Sequence, residues 1–335
     1  MENTFHIQWH ITNFCNLRCR HCYQENFTPE KDISFEELKK IFRNVENFLK
    51  RENKKLVIDL TGGEIFLHKD WKKLVEMVYS SDYVLKTGII TNGFFFNNEI
   101  TGFLKNFPEI EIKLSSEGFD KETYEFYRGK GNFERFIEKL KFLKKTELLK
   151  TLMFTITESN ALQVKKIFDF SKKYEFDRFV IERFIPWGNG KVMENDVIKI
   201  NTWCKVIKFL FEKCNIEFNI EAILPYRGFM IEMEEGNNCL YGAPCIIGKD
   251  GFAIMPDGDI YPCRRFPLKI GNLLEDELKY IWENSPVLNL LRKRENLKGK
   301  CKECKINECY GCRALAYSVK GDFLEEDFLC FFNCQ

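Results

Sequence analysis

The sequence predicts an α/β protein, a curved parallel sheet of six strand–helix units followed by a smaller cysteine-rich subdomain. Apolar runs with strand character alternate with longer stretches of helical period through the first 184 residues. Polar and glycine-containing segments follow the predicted strand ends, where parallel sheets carry their chemistry. Nine of the 14 cysteines fall between Cys239 and Cys334, which indicates that bound metal stabilises the subdomain.

Six runs rich in apolar, β-branched and aromatic residues predict the strands. They span residues 5–11, 56–60, 84–91, 110–115, 152–157 and 179–184. The helical periods between them span residues 34–50, 71–79, 133–144 and 161–173. Function is therefore expected in the segments that follow the strands, at residues 13–22, 61–64, 91–93, 115–118 and 158–160.

The strand–helix alternation ends after residue 184, and a helical stretch at 201–212 follows. From Cys239 onward Gly, Pro and Cys recur at short intervals, with one clear helix near 278–293. This last segment has too few periodic apolar residues to fold by burial alone. We therefore predict a barrel domain at 1–200, a linking helical segment at 201–238 and a cysteine-rich domain at 239–335.

The charge balance argues against a polyanionic partner. The chain has 51 Lys and Arg against 50 Asp and Glu, a formal net charge of +1, without a long block of one sign. The first residues lack an apolar stretch, and no later run of about 18 apolar residues occurs. We expect a soluble cytoplasmic protein with no nucleic-acid and no membrane partner, in which reduced thiols favour metal ligation.

The first cysteine group follows the first predicted strand. Cys15, Cys19 and Cys22 have a spacing at which three thiolates can hold three corners of a [4Fe–4S] cluster. The fourth iron then has no protein ligand in this stretch, which is typical of a metal site that binds a substrate. The alternative is a structural zinc site, but it would need a fourth ligand, and only His21 is near.

The Cys15-x3-Cys19-x2-Cys22 motif with Tyr23 after it resembles the signature of the radical S-adenosylmethionine (radical SAM) superfamily. That resemblance implies a partial (βα)6 TIM-like barrel. It also implies that an electron from the reduced cluster splits S-adenosylmethionine (AdoMet) into methionine and a 5′-deoxyadenosyl radical, which abstracts hydrogen from a substrate. An electron donor such as ferredoxin or flavodoxin would then be a partner.

Other strand ends carry further features of this superfamily. Gly62, Gly63 and Glu64 resemble its Gly-Gly-Glu motif, which binds the methionine amino group of AdoMet. Glycine permits close backbone approach, and a carboxylate accepts from an ammonium group. Ser115 and Arg128 resemble further cofactor contacts, Arg128 at the cofactor carboxylate. A multi-cluster electron carrier without turnover is the alternative of another class, and a carrier has no need of a methionine site.

Glu117 stands where many members of the superfamily have Asp, so the resemblance assigns it no role.

The later cysteines resemble the SPASM extension of this superfamily, which carries two auxiliary [4Fe–4S] clusters. The pattern is Cys245-x12-Gly258-x4-Cys263 followed by Cys301-x2-Cys304-x4-Cys309-x2-Cys312 and Cys330. The family's crossed order implies a first auxiliary group of Cys239, Cys245, Cys263 and Cys312, and a second of Cys301, Cys304, Cys309 and Cys330. The chain would hold three [4Fe–4S] clusters in all.

Alternatives remain for these C-terminal thiols. Cys334 can replace Cys330 as a ligand, and a two-zinc ribbon is the alternative to clusters. Cys204 and Cys214 stand apart from the groups, and we expect them to be buried packing residues.

The resemblance leaves two substrate classes open. Sulfatase-maturing members have an Asp directly after the third ligand of the first auxiliary cluster, where this chain has Arg264, so that reaction is disfavoured. The leading hypothesis is a maturase that abstracts hydrogen from a ribosomal peptide or protein to form a crosslink, a thioether or an oxidised residue. Because Cys15 lies so near the start of the chain, such a substrate would need direct docking or a separate leader-recognition protein.

The alternative substrate is a tetrapyrrole (haem or haem d1), modified on its propionate side chains. Arg264, Arg265 or Arg313 can pair with those propionates. Glu182, Trp187 and Tyr226 are candidates for the substrate pocket by location alone.

Overall fold

The structure, a computed structural model, describes residues 3–223, 225–234, 238–306 and 308–333. Its strands are β1 Thr4–His10, β2 Lys55–Thr61, β3 Val84–Thr91, β4 Glu111–Ser116, β5 Leu149–Ile156, β6 Arg178–Arg183, β7 Tyr226–Glu232, β8 Cys239–Pro244, β9 Gly251–Ile254, β10 Asp259–Tyr261 and β11 Gly271–Asn272.

Helices cover much of the remaining described chain. The α-helices are α1 Phe35–Glu52, α2 Trp71–Tyr79, α3 Asn98–Leu104, α4 Lys121–Arg128, α5 Asn132–Leu143, α6 Val164–Lys173, α7 Ile200–Lys213, α8 Ile220–Ile223, α9 Leu278–Asn284, α10 Pro286–Arg292, α11 Gly299–Glu303 and α12 Arg313–Lys320. Short 3₁₀ segments lie at Ile65–Leu67, Ala161–Gln163, Gly188–Asp196, Arg294–Asn296 and Phe331–Asn333.

All described strands form one sheet in the order β11-β10-β9-β1-β2-β3-β4-β5-β6-β7-β8. Strands β1 to β6 run parallel and pair in chain order. β7 and β8 extend one edge antiparallel, and β10 and β11 do so at the other. The predicted α/β fold with a six-unit parallel barrel is therefore confirmed.

Helix α1 shows how the local sequence builds the outer layer. Ser34 caps its first turn through a capping box with Glu37, and Asn53 ends it in the left-handed region at φ 50°. One face buries Leu38, Ile41, Phe42, Val45, Phe48 and Leu49. Phe42 stacks on Trp9 of β1 with ring centroids 6.3 Å apart, so α1 fixes the strand that precedes the first cysteine group.

The prediction of a single helix near 278–293 is wrong in one respect, because the structure has two helices there, α9 and α10. Pro286 follows Ser285 and cannot continue a helix, since it lacks the N–H and clashes with the preceding turn. The Ser285 side chain instead accepts from Leu288 N and starts α10, with proline in the favoured first turn. Five further helices were not predicted: α3, α4, α8, α11 and α12.

The cysteine-rich part is joined to the barrel by strand pairing. β9 pairs parallel to β1, with His6 opposite Gly251 and Trp9 opposite Ile254. The Phe252 ring packs edge-on against Phe5 at 5.4 Å. β1 therefore lies between β2 and β9 rather than at the edge of the sheet.

In the described part of the chain, no helix combines the length and the apolar character that crossing a bilayer requires.

Candidate active site

A cleft opens at the carboxyl ends of the parallel strands, with an empty volume of about 960 Å³. Function was expected in five segments that follow the strands. Four of them contribute residues to the lining of this cleft, and the segment 158–160 does not. Such an apolar cleft with a few convergent polar groups is the common form of a cofactor site.

Cys15, Cys19 and Cys22 all line this cleft. The loop that carries them is held by the turn after β6, where Gly190 N donates to Cys22 O over 2.7 Å and Asn189 Nδ2 donates to Cys19 O over 2.8 Å. Burial raises the pKa of Cys19 to about 12 and that of Cys22 to about 11. These thiols keep their protons at neutral pH, so metal binding must displace them.

The fourth ligand of the zinc alternative is paired with a carboxylate in this structure. Among the described residues, no three His, Cys, Asp or Glu side chains converge closely enough to hold one metal ion. In a [4Fe–4S] cluster each thiolate binds a different iron at its own corner, so the sulfurs need not converge on one point. His21, the fourth ligand of the zinc alternative, points its Nε2 at Glu117 Oε1 at 3.2 Å instead.

Gly62 and Gly63 line the cleft and press against the cysteine loop. A Cβ on Gly62 would lie 2.5 Å from the Thr12 carbonyl oxygen, and one on Gly63 would overlap the Phe14 carbonyl. Gly63 N donates to Thr12 O over 2.8 Å. Glycine is required here because any side chain would push the loop away from β2.

Glu64 lies behind the glycines, fully buried, and is not among the described residues that line the cleft. Its oxygens accept from Thr91 Oγ1 at 2.7 Å and from Asn92 N at 2.9 Å. Burial raises the pKa of this carboxyl to about 7, against the lowering effect of these donors. Glu64 therefore ties the end of β2 to the end of β3.

Arg128 and Ser115 also line the cleft. Arg128 forms a two-point pair with Glu117, from Nε to Oε2 at 2.5 Å and from Nη2 to Oε1 at 3.0 Å. Burial alone would raise the pKa of Glu117, but the charge of Arg128, followed by that of His21, outweighs it and holds that pKa at about 2. Glu117 thus holds the Arg128 guanidinium against the cleft wall.

A second charged group lines the same cleft. Arg264 Nη2 donates to Glu182 Oε2 over 3.0 Å, and Arg265 Nη1 lies 3.4 Å from the same oxygen. All three side chains line the cleft. One carboxylate therefore faces two guanidinium groups, which leaves the wall with an excess positive charge.

Two of the three pocket candidates and one of the three arginines expected at the propionates are not among the residues that line this cleft. The ring of Trp187 is tilted against that of Tyr317, with ring centroids 5.8 Å apart. Tyr226 lies against the Gly242 backbone in the β7–β8 hairpin. Arg313 is buried and donates to the carbonyls of Phe323 and Glu325. It is a structural residue of the cysteine-rich part.

The predicted second auxiliary group comes together. Cys301, Cys304, Cys309 and Cys330 line one small cavity of about 340 Å³, together with Arg227 and Asp327. Cys334, the alternative to Cys330, lies outside the described residues.

Three donors reach the sulfurs of this group. Arg227 Nη2 donates to Cys309 Sγ over 2.8 Å, while Asp327 N and Arg313 Nη2 donate to Cys301 Sγ over 3.4 Å and 3.5 Å. Such donors stabilise thiolate charge.

The predicted first auxiliary group comes together only in part. Burial, followed by the charge of Cys312, raises the pKa of Cys245 to about 11, and Cys263 adds to this shift at the same site. Cys239, however, lies at the opposite end of β8, paired with Glu232, whereas Cys245 follows Pro244. The expectation that Cys239 joins this group is corrected, because an extended strand separates the two cysteines.

Of the two cysteines expected to serve in packing, Cys214 is free and buried. Cys204 is also buried, in α7, but it takes part in a disulfide that the sequence pattern did not predict.

Sequence reasoning missed a buried charge cluster between the auxiliary groups. Asp327 lies 3.2 Å from Arg183 Nη2 and 3.8 Å from Arg227 Nε. Arg183 ends β6 and Arg227 is the second residue of β7, so no local motif connects them to the cysteines. In the sequence, the only indication of this charge cluster was the position of Asp327 three residues before Cys330.

Two family comparisons bear on this arrangement. The Radical SAM superfamily matches residues 9–171, which contain the three cleft cysteines and the Gly62-Gly63 turn. The SPASM iron–sulfur cluster-binding domain matches residues 245–305. The chain belongs to the radical SAM superfamily and carries a SPASM domain. It is a radical SAM enzyme, with AdoMet and a [4Fe–4S] cluster as its cofactors and with further iron–sulfur binding in the SPASM domain.

Individual relatives of this radical SAM enzyme differ in substrate. The AdoMet-dependent heme synthase of Methanosarcina barkeri is 27% identical over 98% of this chain and 96% of its own length. The subtilosin biosynthesis protein AlbA of Bacillus subtilis is 25% identical over 85% of this chain and 61% of its own length. Streptococcus suis SuiB bound to S-adenosylmethionine shares the fold, with a TM-score of 0.72 at 20% identity, covering 98% of this chain and 77% of that chain.

Proposed function

We propose that this radical SAM enzyme holds AdoMet beside a cluster on Cys15, Cys19 and Cys22. When bound, these cofactors supply a 5′-deoxyadenosyl radical that takes a hydrogen atom from the substrate. The protein supplies the cleft that keeps the reacting atoms together. The total of three [4Fe–4S] clusters, with two in the SPASM domain, is part of the same proposal.

The cleft residues divide the binding of AdoMet between them. Gly62 and Gly63 let the cofactor approach the backbone closely. Arg128, held by Glu117, presents its guanidinium to the cofactor carboxylate, and Ser115 offers a hydroxyl nearby. Glu64 contributes indirectly, because its hydrogen bonds fix the ends of β2 and β3 around the glycines.

The substrate we propose is a tetrapyrrole that carries propionate groups. The observation that supports it is the Arg264 and Arg265 pair on the cleft wall, where Glu182 balances only one of the two charges. Arginine binds carboxylates through parallel hydrogen bonds, which suits a propionate. The similarity to a heme synthase along the whole chain agrees with this assignment.

A ribosomal peptide is the second candidate, favoured by the similarity to AlbA. In that case the arginine pair would bind an acidic side chain or the peptide carboxylate, and a leader-recognition protein would be a further partner. An electron donor such as ferredoxin or flavodoxin would serve either substrate.

The first experiment is anaerobic reconstitution with iron and sulfide. About twelve irons per chain, at four per cluster, and formation of 5′-deoxyadenosine with a reductant and AdoMet are expected. Zinc in place of iron, or no cleavage of AdoMet, contradicts the proposal.

The second experiment distinguishes the substrates. The loaded enzyme is incubated with Fe-coproporphyrin III, and mass spectrometry follows the porphyrin. We expect an AdoMet-dependent mass change that is lost in Arg264→Gln and Arg265→Gln but kept in Arg135→Gln, whose side chain is exposed. If Fe-coproporphyrin III stays unchanged and an acidic precursor peptide is modified instead, the tetrapyrrole assignment is wrong.

A further inference from the structure

Thr12 connects the cysteine loop to the Gly62-Gly63 turn, and its hydroxyl is held by Asp32, which does not line the cleft. We propose that Asp32 is a positioning residue for AdoMet, because through Thr12 it sets how closely the loop approaches the turn. This inference rests on the proposed binding of AdoMet beside these two segments. It adds a residue that no motif of the sequence assigned.

The backbone of Thr12 joins the two segments. Its carbonyl oxygen accepts from Gly63 N over 2.8 Å, and the Phe14 carbonyl oxygen accepts from Glu64 N over 2.8 Å. Together these hydrogen bonds hold the start of the cysteine loop along the turn. A Cβ on Gly62 would lie 2.5 Å from the Thr12 carbonyl oxygen, so the backbones are already as close as the missing side chain permits. A displacement of Thr12 therefore widens the gap between the two segments.

The side chain of Thr12 fixes the position of this backbone. Its Oγ1 accepts from Phe14 N over 2.9 Å and donates to Asp32 Oδ2 over 2.7 Å. One hydroxyl thus shapes the loop directly before Cys15 and ties it to a residue 20 positions further along the chain. Hydrogen bonds to a carboxylate are among the stronger ones, so the contact with Asp32 is suited to hold the loop.

Asp32 is itself anchored to the outer layer of the barrel. Its backbone N donates to Pro29 O over 2.9 Å, and Ser34, two residues later, caps helix α1. Helix α1 packs on β1 through the stacked rings of Phe42 and Trp9. Asp32 therefore holds Thr12 against a support that belongs to the packed core and not to the cysteine loop.

The state of the Asp32 carboxylate indicates a role other than stability. Its Oδ1 is buried and has no hydrogen-bond partner among the described residues. Burial raises the pKa of Asp32, although the hydrogen bond from Thr12 lowers it, so the folded chain holds this carboxylate at a net cost. Buried polar atoms without a partner are uncommon in folded proteins and need a reason. The positioning of Thr12 supplies one.

The test measures the kinetics of AdoMet cleavage on reconstituted full-length chains, with iron content as the check on cluster loading. Asp32→Asn keeps the shape of the side chain but weakens its bond to Thr12. It should raise the KM for AdoMet by about 2- to 10-fold, the equivalent of roughly one hydrogen bond. A loss of folded enzyme alone would lower kcat and leave this KM unchanged, and that result overturns the inference.

The matched control is Glu46→Gln on helix α1. The Glu46 carboxylate also accepts from a hydroxyl, that of Ser81 over 2.6 Å, and neither residue lines the cleft. The KM for AdoMet should stay at the wild-type value in this variant. An equal rise in both variants means that the effect is not specific to Asp32 and overturns the inference.

Two variants of Thr12 separate its hydroxyl from its methyl group. Thr12→Val keeps the shape against Gly62 but loses both hydroxyl hydrogen bonds, so the KM for AdoMet should rise at least as far as in Asp32→Asn. Thr12→Ser keeps the hydroxyl, and its KM should remain near the wild-type value. A KM that follows the methyl group instead overturns the inference. This comparison also decides the case if Asp32→Asn fails to take up iron.

The double variant Thr12→Val/Asp32→Asn shows whether the two residues act through one contact. Because both substitutions break the same hydrogen bond, its KM should rise no further than that of Thr12→Val alone. Effects that multiply mean that Asp32 acts elsewhere, which overturns the inference. A wild-type chain that does not cleave AdoMet overturns the proposed function, and the inference with it.

Discussion

The Asp327 carboxylate accepts a hydrogen bond of 2.8 Å from the backbone N–H of Cys312, and this contact joins the two cysteine groups of the SPASM domain. The N–H of Asp327 itself donates to Cys301 Sγ over 3.4 Å. One buried residue therefore contacts a predicted ligand of each auxiliary cluster. Burial alone would raise its pKa, but Arg183 and then Arg227 outweigh burial and hold it at about 2.

Replacing this carboxylate should destabilise the chain strongly. Asp327→Asn leaves Arg183 buried without its counter-charge, and breaking such a buried pair costs about 3–5 kcal/mol. We expect a clearly lower urea midpoint for the anaerobically reconstituted chain. The matched control is Asp322→Asn, which weakens a pair with Lys298 whose side chains are 34% and 52% exposed, and it should cost less than about 1 kcal/mol. Equal effects of the two variants would contradict the role of Asp327.

Glu64 should make stability depend on pH in an unusual direction. Its pKa is about 7 in the folded chain against an ordinary value of 4.5, so the folded chain keeps a proton that the unfolded chain has released. Raising the pH from about 4.5 to 7 therefore favours unfolding through this residue, and below 4.5 the effect disappears. Glu64→Gln removes the titration while it keeps an acceptor for Thr91. The wild-type urea midpoint should fall relative to that of the variant between pH 5 and pH 7.5, and parallel midpoints would exclude this titration.

Arg128 should be needed for AdoMet affinity in addition to its buried pair with Glu117. Arg128→Lys keeps the charge beside Glu117 but loses the planar two-point donor. A hydrogen bond to a charged group contributes about 1.5–3 kcal/mol, which predicts a roughly 10- to 150-fold higher Kd for AdoMet. Anaerobic equilibrium binding measures this, with iron content as a check on the fold. Arg135→Lys, on an exposed side chain, is the control; an unchanged Kd in Arg128→Lys would place the cofactor carboxylate elsewhere.

The cavity with four cysteines should hold one cluster as a unit. Cys304→Ala removes one of the four thiols around it, and about four irons per chain should be lost. The sulfur-to-iron charge-transfer absorbance in the visible region should fall by about a third, because one of the three proposed clusters is lost. A Cys214→Ala chain should keep its full iron content. Retention of all iron in Cys304→Ala would show that this thiol is not a ligand.

Local patterns predicted the parallel strands well because each is an apolar run that pairs with its neighbour in chain order. The start of β3 at Val84 and its end at Thr91 coincide with the prediction. The pairing of β9 with β1 was not predictable, since Gly251 and His6 are brought together by the fold and by no shared pattern. For the same reason, the order of the cysteines along the chain led to a wrong assignment of Cys239. Strand β8 separates Cys239 from Cys245 and its group.

The site was predicted where short motifs carry the chemistry and missed where charges meet across the fold. The three cleft cysteines and Gly62-Gly63 lie together because each follows a neighbouring strand. The Arg183–Asp327 pair joins a barrel strand to the C-terminal segment, and no spacing rule connects residues so far apart.

The β1–β9 pairing also bears on how the protein is made. Gly251 leaves the ribosome 245 residues after His6, its partner in the sheet. At about 5–20 residues per second, this takes roughly 10–50 s of synthesis. Throughout that time the edge of β1 that later pairs with β9 is unpaired. The loop with Cys15, Cys19 and Cys22 follows directly after this incompletely paired strand. The sheet beside the cysteine loop is therefore completed only after three quarters of the chain has been synthesised.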